Sequence, residues 1–119
     1  MTHKEFKLGQ LRKRAEFLFV AERGENKGRY KARPGIVIQS RANPARESGI
    51  HVGFTATKKI GNAVIRNKAK RRLRECARQI LPTVGKPGHD YVFIARAETP
   101  TMEWTELQAH VEKALLALK

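Results

Sequence analysis

The sequence predicts an α+β protein, a single sheet of about four strands packed with three helices, in the order α-β-β-β-α-β-α. Residues 50–57 and 91–95 have the apolar patterns of strands. Residues 62–80 and 103–118 instead repeat apolar side chains at helical spacing. The length of 119 residues allows one domain with a modest core and not two, so residues 1–119 are expected to form a single domain.

The first part of the chain is predicted to be a flexible arm followed by a helix. Residues 1–13 are basic and weakly patterned, which is typical of a mobile terminus. The helix is predicted over residues 15–23, with Gly24 as its stop. Within this helix, Phe17 is either a core residue or a partly exposed ring on which a base of a nucleic acid can stack.

Three segments that follow the first helix have the character of strands or loops. Residues 25–33 alternate cations around Tyr30 and are predicted to be a loop or an edge strand. A short strand is expected over residues 36–41, and a clearer one over residues 50–57. Successive side chains of the latter point to opposite faces. Its apolar face has Ile50, Val52, Phe54 and Ala56, and its small, polar face has His51, Gly53, Thr55 and Thr57.

The helix over residues 62–80 is the most informative element of the sequence. Asn62 is a suitable N-cap, and Pro82 is expected to end the helix near residue 80, because the residue before a proline avoids helical backbone. The single cysteine, Cys76, lies on the apolar side and is predicted to be a buried side chain rather than a nucleophile. At about 100° per residue, one stripe facing the core is formed by Ile65, Ala69, Leu73, Cys76 and Ile80.

Cations dominate the remaining surface of this helix. Arg66, Lys70 and Arg74 follow one another at i, i+4 and i+8, so they form a row along one edge of the apolar stripe. The only carboxylate in the stretch is Glu75. Charge runs usually are solvated helix faces, but like charges at this spacing repel each other by about 0.2–0.5 kcal/mol per pair. An anionic partner would supply the missing counter-charge.

The composition indicates that nucleic acid is the first partner to consider. The chain has 25 Lys and Arg against 11 Asp and Glu, a net charge of +14 and a pI of about 10.7. No stretch approaches the roughly 20 apolar residues of a membrane span, and the N-terminus lacks the features of a signal peptide. A cytoplasmic protein without a membrane partner is therefore expected. One cysteine excludes an internal disulfide and a cysteine-based zinc site.

Catalysis by the side chains of this protein is not indicated. A two-metal nuclease needs clustered carboxylates, whereas Asp90 is the only aspartate and the glutamates are scattered. The four histidines lack the spacing of metal ligands. His51, on the polar face of its strand, is compatible with an acid–base group or with a plain surface histidine. The pattern favours neutralisation of phosphates by a positioned surface.

One stretch resembles the signature of a known family. Residues 58–75, KKIGNAVIRNKAKRRLRE, are similar to the motif of the protein subunit of bacterial ribonuclease P, which fixes an alanine, Arg-Asn, Lys-Arg and a final arginine at set spacings. The resemblance extends over about residues 11–118. It implies the fold of the family, including a left-handed β-α-β crossover around the basic helix, although about 98% of such connections are right-handed.

The resemblance also implies a function. Ribonuclease P is a ribonucleoprotein endonuclease that removes the 5′ leader from precursor tRNA, and its RNA subunit carries the catalytic site. The expected partners are therefore the catalytic RNA and precursor tRNA, with no obligate protein partner. The cofactor is Mg²⁺, held mainly by the RNA. The small protein is expected to bind the leader in a cleft between the sheet and the first helix and to improve substrate and magnesium affinity.

The resemblance assigns residues to two parts of this site, and it assigns no catalytic residue and no metal ligand. Phe17 matches an aromatic residue of the leader cleft, and Thr55 and Thr57 are expected beside it. Ala69 stands where the family usually has a larger aliphatic residue. Ala21 stands where many members have a second aromatic residue, so that leader stacking is reduced or taken over by another residue. The predicted RNA contacts are Lys58, Lys59, Arg66, Asn67, Lys70, Arg71 and Arg74.

Two other classes of protein are compatible with such a basic chain. A ribosomal or ribosome-assembly protein would bind ribosomal RNA but would not distinguish precursor from mature tRNA. A DNA-binding module would place the basic helix in a major groove. The cations of this helix outnumber the amide side chains suited to base edges, of which Asn67 is the main candidate, and this speaks against the DNA-binding reading.

Overall fold

The computed structural model describes residues 8–119, which form one five-stranded sheet and three α-helices. The predicted α+β class is confirmed, with five strands instead of about four. The elements are β1 (Leu8–Gln10), α1 (Arg14–Ala21), β2 (Arg29–Arg33), β3 (Ile36–Ala42), β4 (Ile50–Thr55), α2 (Ala63–Val84), β5 (His89–Ala95) and α3 (Trp104–Ala117).

The sheet is mixed and has the strand order β1-β4-β5-β3-β2. β4 is parallel to both β1 and β5, whereas β3 is antiparallel to both β5 and β2. The unpredicted strand is β1, whose end is fixed by a 3.0 Å hydrogen bond from the Leu11 amide to the Val52 carbonyl. Leu11 itself is buried. The expected arm over residues 1–13 is therefore wrong for residues 8–11, and residues 1–7 lie outside the described part.

Helices cover both faces of the sheet. α2 and α3 pack on one face and enclose the main core, to which β4 contributes Ile50 and Val52, as their alternation predicts. α1 packs on the opposite face over β3 and β5. There, Val20 of α1, Val92 of β5 and Leu11 form a smaller buried cluster.

The β4–α2–β5 connection is left-handed. Val52 points toward α2, and its carbonyl accepts the hydrogen bond from Leu11, which continues β1. For an L-residue whose side chain faces the viewer and whose strand runs upward, the carbonyl points to the right. Seen from α2, β1 therefore lies to the right of β4, and β5 lies to its left. A β-α-β unit whose helix lies in front and whose second strand lies on the left is left-handed. This is the uncommon hand that the resemblance implies.

α2 is longer than predicted. Its start agrees with the prediction, since the Asn62 side chain accepts a 3.0 Å hydrogen bond from the Ile65 amide. Its end does not, because Pro82 lies inside the last turn. A proline there removes a single helical hydrogen bond, and buried Leu81 and Val84 hold the turn against the core.

The buried side of α2 agrees with most of the predicted stripe. Ala69, Leu73 and Cys76 are fully buried, whereas Ile65 is 37% exposed, against Gly61. Burial raises the pKa of the Cys76 thiol to about 12, so the thiolate is disfavoured and Cys76 behaves as an apolar side chain. The predicted stripe of the last helix is also confirmed, with Leu107, Val111, Ala114, Leu115 and Leu118 buried.

An ionic network fixes the N-terminal end of α1 to the sheet. The Glu16 carboxylate accepts hydrogen bonds from the amides of Lys13 and Arg12, at 2.8 and 2.9 Å. It also lies 3.2 Å from Nη2 of Arg46. Nε of Arg46 donates to the buried Asp90 carboxylate at 3.0 Å. Carboxylates that looked scattered in the sequence thus hold α1 in place.

This network predicts a specific dependence of stability on pH. Hydrogen bonds from the Lys13 and Arg12 amides, and then from Arg46, lower the pKa of Glu16 from 4.5 to about 2. A lowered pKa in the folded state adds stability above pH 4.5, and this contribution is lost as the pH falls toward 2. In urea unfolding, Glu16→Gln should therefore be less stable than the wild type at pH 7. The difference in unfolding free energy between the two proteins should shrink as the pH falls from 4.5 toward 2. A difference that does not change with pH would contradict the lowered pKa of Glu16.

Candidate nucleic-acid interface

The two flanks of α2 have different neighbours. α3 packs along one flank, where Nε2 of Gln108 donates to Oε1 of Gln79 at 2.6 Å. The other flank faces β4 and carries Arg66, Lys70 and Arg74, which we call the basic row. The Arg74 guanidinium lies 5.7 Å from the centroid of the Phe54 ring. The predicted row therefore exists, and it points away from the helix that packs beside it.

Further cations extend the basic row at the start of α2. Lys58 and Lys59 are exposed in a 3₁₀ turn, Lys58–Ile60, just before the helix, where the helix dipole adds positive potential. Asn67 and Arg71 are exposed on the arc next to the row. The structure thus places every predicted RNA contact on the start and one side of α2. We call this set the basic surface: Lys58, Lys59, Arg66, Asn67, Lys70, Arg71 and Arg74.

The basic surface lacks counter-charges within residues 8–119. None of its six cations lies within 4 Å of a carboxylate there, since the ion pairs of this part involve other residues. The nearby Glu75 carboxylate is already engaged by Arg78 and by Gln79. Arg41, by contrast, is paired with Glu22 at 2.8 Å. Cations held close together without carboxylates are arranged to meet an external anion.

Arg72 lies in the middle of the basic stretch but does not belong to this surface. Its guanidinium donates to the carbonyls of Thr99, at 2.6 Å, and of Met102, at 2.5 Å, and lies 5.6 Å from the Trp104 ring centroid. It therefore fixes the segment that leads into α3. Sequence reasoning missed this role, because only the position of α3 distinguishes Arg72 from its neighbours.

A second feature is the part of the other sheet face that α1 leaves uncovered, where the resemblance implies the leader cleft; we call it the cleft beside α1. The Phe17 ring lies against Gly53 of β4, so closely that a Cβ atom at Gly53 would be 2.5 Å from Cε1 of the ring. Glycine at this position therefore lets the ring rest on the sheet. Phe17 is half-buried, so that part of the ring packs beside the small cluster and the rest faces solvent.

The floor of this cleft is a row of uncharged side chains across four strands. By register, Thr55 is paired with Ile94, Ile94 with Val37, and Val37 with Ala32. We call these four residues the cleft floor. α1 forms the adjacent wall, because Glu16 and Phe19 face the other end of the strands, where they meet Arg46 and Arg41.

Thr57 is not part of the cleft floor. β4 ends at Thr55, and exposed Thr57 instead opens the 3₁₀ turn, its carbonyl accepting a 3.2 Å hydrogen bond from the Ile60 amide. The prediction of a strand to residue 57 is therefore wrong by two residues. Ala21, one turn after Phe17, is half-buried and adds no ring to the wall.

The histidine and carboxylate side chains of the described residues do not converge on one metal-binding point. Within residues 8–119, no group of three or more His, Cys, Asp and Glu side chains could hold a metal ion. His51 is half-buried against Gly9, and its Nδ1 has no hydrogen-bond partner in this part of the chain. Across the same residues, no helix is long and apolar enough to cross a membrane.

The fold and these two surfaces define a small RNA-binding protein of the α+β class, in which a basic helix faces one side and an aromatic cleft the other. The comparisons with known proteins specify the class. The sequence model of the family described as Ribonuclease P matches residues 7–119, so the chain belongs to the ribonuclease P protein family.

Individual relatives agree with this assignment. The chain is 50% identical to the ribonuclease P protein component of Caulobacter vibrioides over 112 residues, 94% of this chain and 72% of that protein. It is 46% identical to the component of Ruegeria pomeroyi, covering 91% and 84%. The solved structure of the Staphylococcus aureus RNase P protein matches with a TM-score of 0.75 at 28% identity, covering 95% and 97%. That from Thermotoga maritima matches with 0.76 at 25% identity, covering 92% and 97%.

Family membership confirms the main functional prediction. The protein is a subunit of an endoribonuclease that processes tRNA, and it has the ribonuclease P RNA as its partner. In this family, catalysis belongs to that RNA. The ribosomal alternative is not supported.

Proposed function

We propose that the cleft beside α1 binds the single-stranded 5′ leader of precursor tRNA, while the basic surface binds folded ribonuclease P RNA. The observation that carries this proposal is the separation of two surfaces on one small protein. Cations without a carboxylate partner among residues 8–119 lie along the flank of α2, and an uncharged floor with one aromatic ring lies beside α1. These surfaces suit two forms of RNA.

The cleft suits a single strand because such a strand presents unstacked bases. The half-buried Phe17 ring offers a stacking partner, and base–aromatic stacking contributes about 1–3 kcal/mol per base without reading the sequence. Thr55, Ile94 and Val37 carry no charge and are only half-buried, so their exposed parts can meet a base. The exposed Lys58 follows the strand that contributes Thr55 and is a candidate for a phosphate contact at this end.

The basic surface suits the phosphates of folded RNA. Its arginines present planar guanidinium groups that match phosphate oxygens, and its lysines add point charges. If about six phosphates are neutralised, the logarithm of the binding constant should fall against the logarithm of salt concentration with a slope of roughly −4 to −5. The same number of cations on the surface has no carboxylate partner among residues 8–119.

Mg²⁺ is assigned in this proposal to the RNA. The described residues provide no cluster of ligands, so the protein would improve magnesium affinity indirectly, by fixing the leader and neutralising phosphates near the scissile bond. The site of action would be the cytoplasm, where precursor tRNA is processed.

The deciding experiment is cleavage of precursor tRNA by the ribonuclease P RNA at low magnesium, with and without this protein. The proposal requires a large increase in rate that is greater for a substrate with a long leader than for one whose leader has one or two nucleotides. An increase of equal size for substrates with long and with short leaders would remove the cleft from the mechanism. No increase at all would remove the protein from substrate binding.

The contribution of Phe17 can be measured separately. Phe17→Ala should weaken binding of precursor tRNA by roughly tenfold and leave mature tRNA nearly unaffected, because only the precursor has a base to stack. Phe19→Ala is a matched control, since Phe19 is on the same helix but packs under Arg41, away from the cleft. Equal losses for precursor and mature tRNA would exclude Phe17 from the leader site.

A further inference from the structure

Tyr30 is a largely exposed aromatic residue that belongs to neither of the two surfaces described above. It lies in the middle of β2 and is 58% exposed. The flanking arginines are turned to the other face, where Arg29 donates to the Leu118 carbonyl at 3.2 Å and Arg33 to Nδ1 of His110 at 3.0 Å. Because strand residues alternate, Tyr30 stands on the same face as Phe17.

Tyr30 is also aligned with Phe17 across the sheet. The residue opposite Tyr30 is Gln39, the residue opposite Gln39 is Val92, and the residue opposite Val92 is Gly53, which supports the Phe17 ring. Three strand spacings of about 4.8 Å separate the ends of this line, so the two aromatic positions are about 14 Å apart. This line is the row next to the cleft floor, and its middle residue, Val92, is buried under α1, so Phe17 and Tyr30 stand at the β4 and β2 ends of the cleft beside α1.

Arg23 supports the Tyr30 ring from one side. Its guanidinium carbon lies 4.8 Å from the ring centroid, and its Nη1 donates to the Ala21 carbonyl at 2.9 Å. Arg23 has no carboxylate within 4 Å in the described part of the chain. An aromatic ring backed by an unpaired guanidinium can stack a base on its free side and attract the adjacent phosphate.

We infer that Tyr30, supported by Arg23, is a second stacking platform of the cleft, where it binds a base of the RNA strand that Phe17 holds at the other end. This inference rests on the proposed binding of the leader in the cleft. At a stacked rise of 3.4 Å, a distance of about 14 Å corresponds to about four nucleotides, and fewer if the strand is extended. Tyr30 then supplies the second ring that Ala21 does not.

The test uses the reconstituted complex with ribonuclease P RNA and precursor tRNAs whose leaders have about two or about ten nucleotides. Tyr30→Ala should weaken binding of the long-leader substrate by roughly tenfold and leave the short-leader substrate and mature tRNA unchanged. Tyr30→Phe should restore affinity, because the ring remains. Lys31→Ala is the matched control, since it changes the same strand on the opposite face. Arg23→Gln should give a smaller loss with the same dependence on leader length.

Two outcomes would overturn the inference: no loss in Tyr30→Ala with the long leader, or an equal loss with all substrates. Tyr30→Thr, which keeps a residue suited to strands, repeats the test should the alanine variant unfold in a thermal melt. Phe17→Ala in the same series separates the two proposals. A leader-dependent loss for Phe17→Ala alone rejects the second platform and keeps the cleft. If the wild-type complex itself does not favour long leaders, binding of the leader in the cleft is rejected.

Discussion

Replacing both Arg66 and Lys70 by alanine is expected to weaken binding of the ribonuclease P RNA by about a hundredfold. Each side chain would lose a hydrogen bond to a charged group worth roughly 1.5 kcal/mol, and 1.4 kcal/mol corresponds to a factor of ten. The fold should remain intact, because neither side chain makes a hydrogen bond or ion pair with another described residue that would be broken. Binding measured by filter retention or fluorescence anisotropy at several salt concentrations tests this expectation.

The salt dependence makes this result specific. Loss of two phosphate contacts should flatten the slope of log K against log salt by about 1.5, since each contact contributes about 0.7–0.9. A double variant of Lys31 and Lys113 is the matched control, because it removes two exposed cations far from the basic surface. If the control loses as much affinity as the double variant of the basic row, net charge rather than a positioned surface governs binding.

Arg72→Ala is expected to lower stability strongly, whereas Arg71→Ala is not. The first change leaves the carbonyls of Thr99 and Met102 without their donor and removes a cation from the Trp104 ring. Two hydrogen bonds from a charged group suggest a loss of about 2–4 kcal/mol in the free energy of unfolding. For a chain of this size, the midpoint of thermal unfolding should fall by roughly 10 °C or more.

The neighbouring residue provides the comparison for this prediction. Arg71 is exposed and has no such contacts among residues 8–119, so the free energy of unfolding of Arg71→Ala should lie within about 0.5 kcal/mol of the wild type, while RNA binding should be weaker. Arg72→Ala should be much less stable than the wild type, yet it should bind RNA with nearly the wild-type affinity at a temperature where it is folded. A pair of variants with the same stability and the same RNA affinity would show that the two arginines are equivalent, against the geometry.

The elements predicted well are those whose side chains repeat along the sequence. The stripe of α3 and the alternation of β4 are local patterns, and Leu107 and Val52 are buried as those patterns require. The basic row of α2 follows from the same periodicity. The left-handed crossover, however, came only from the family signature, because periodicity contains no information on the hand of a connection.

The errors concern features that distant contacts decide. β1 has three residues and no period of its own, and it becomes a strand by pairing with β4, about 40 positions later. Pro82 alone predicts the end of α2, but buried Leu81 and Val84 extend the helix through it. Local propensity is weak compared with the burial of two aliphatic side chains, which contributes about 1.5–3 kcal/mol each.

In the candidate site, too, local patterns were predictable and distant contacts were not. Sequence spacing identified the residues of the basic surface, yet it could not separate Arg72, which binds carbonyls, from Arg71, which is free in the described structure. The role of Asp90 was also hidden, since its partner Arg46 lies 44 positions away. Tyr30 attracted no functional interpretation, because only the sheet order brings β2 into line with Phe17.

The two outer strands of the sheet determine how it meets other chains. Among residues 8–119, β1 offers three residues as a template, and β2, the outer strand on the other side, carries Arg29, Lys31 and Arg33 on one face. A second strand arriving at β2 would place like charges together, and one arriving at β1 would gain few backbone hydrogen bonds. Such edges resist addition of a foreign strand, and therefore oppose the growth of aggregates by edge-to-edge pairing. Copies of this chain bound along one RNA are therefore expected to stay separate at their sheet edges.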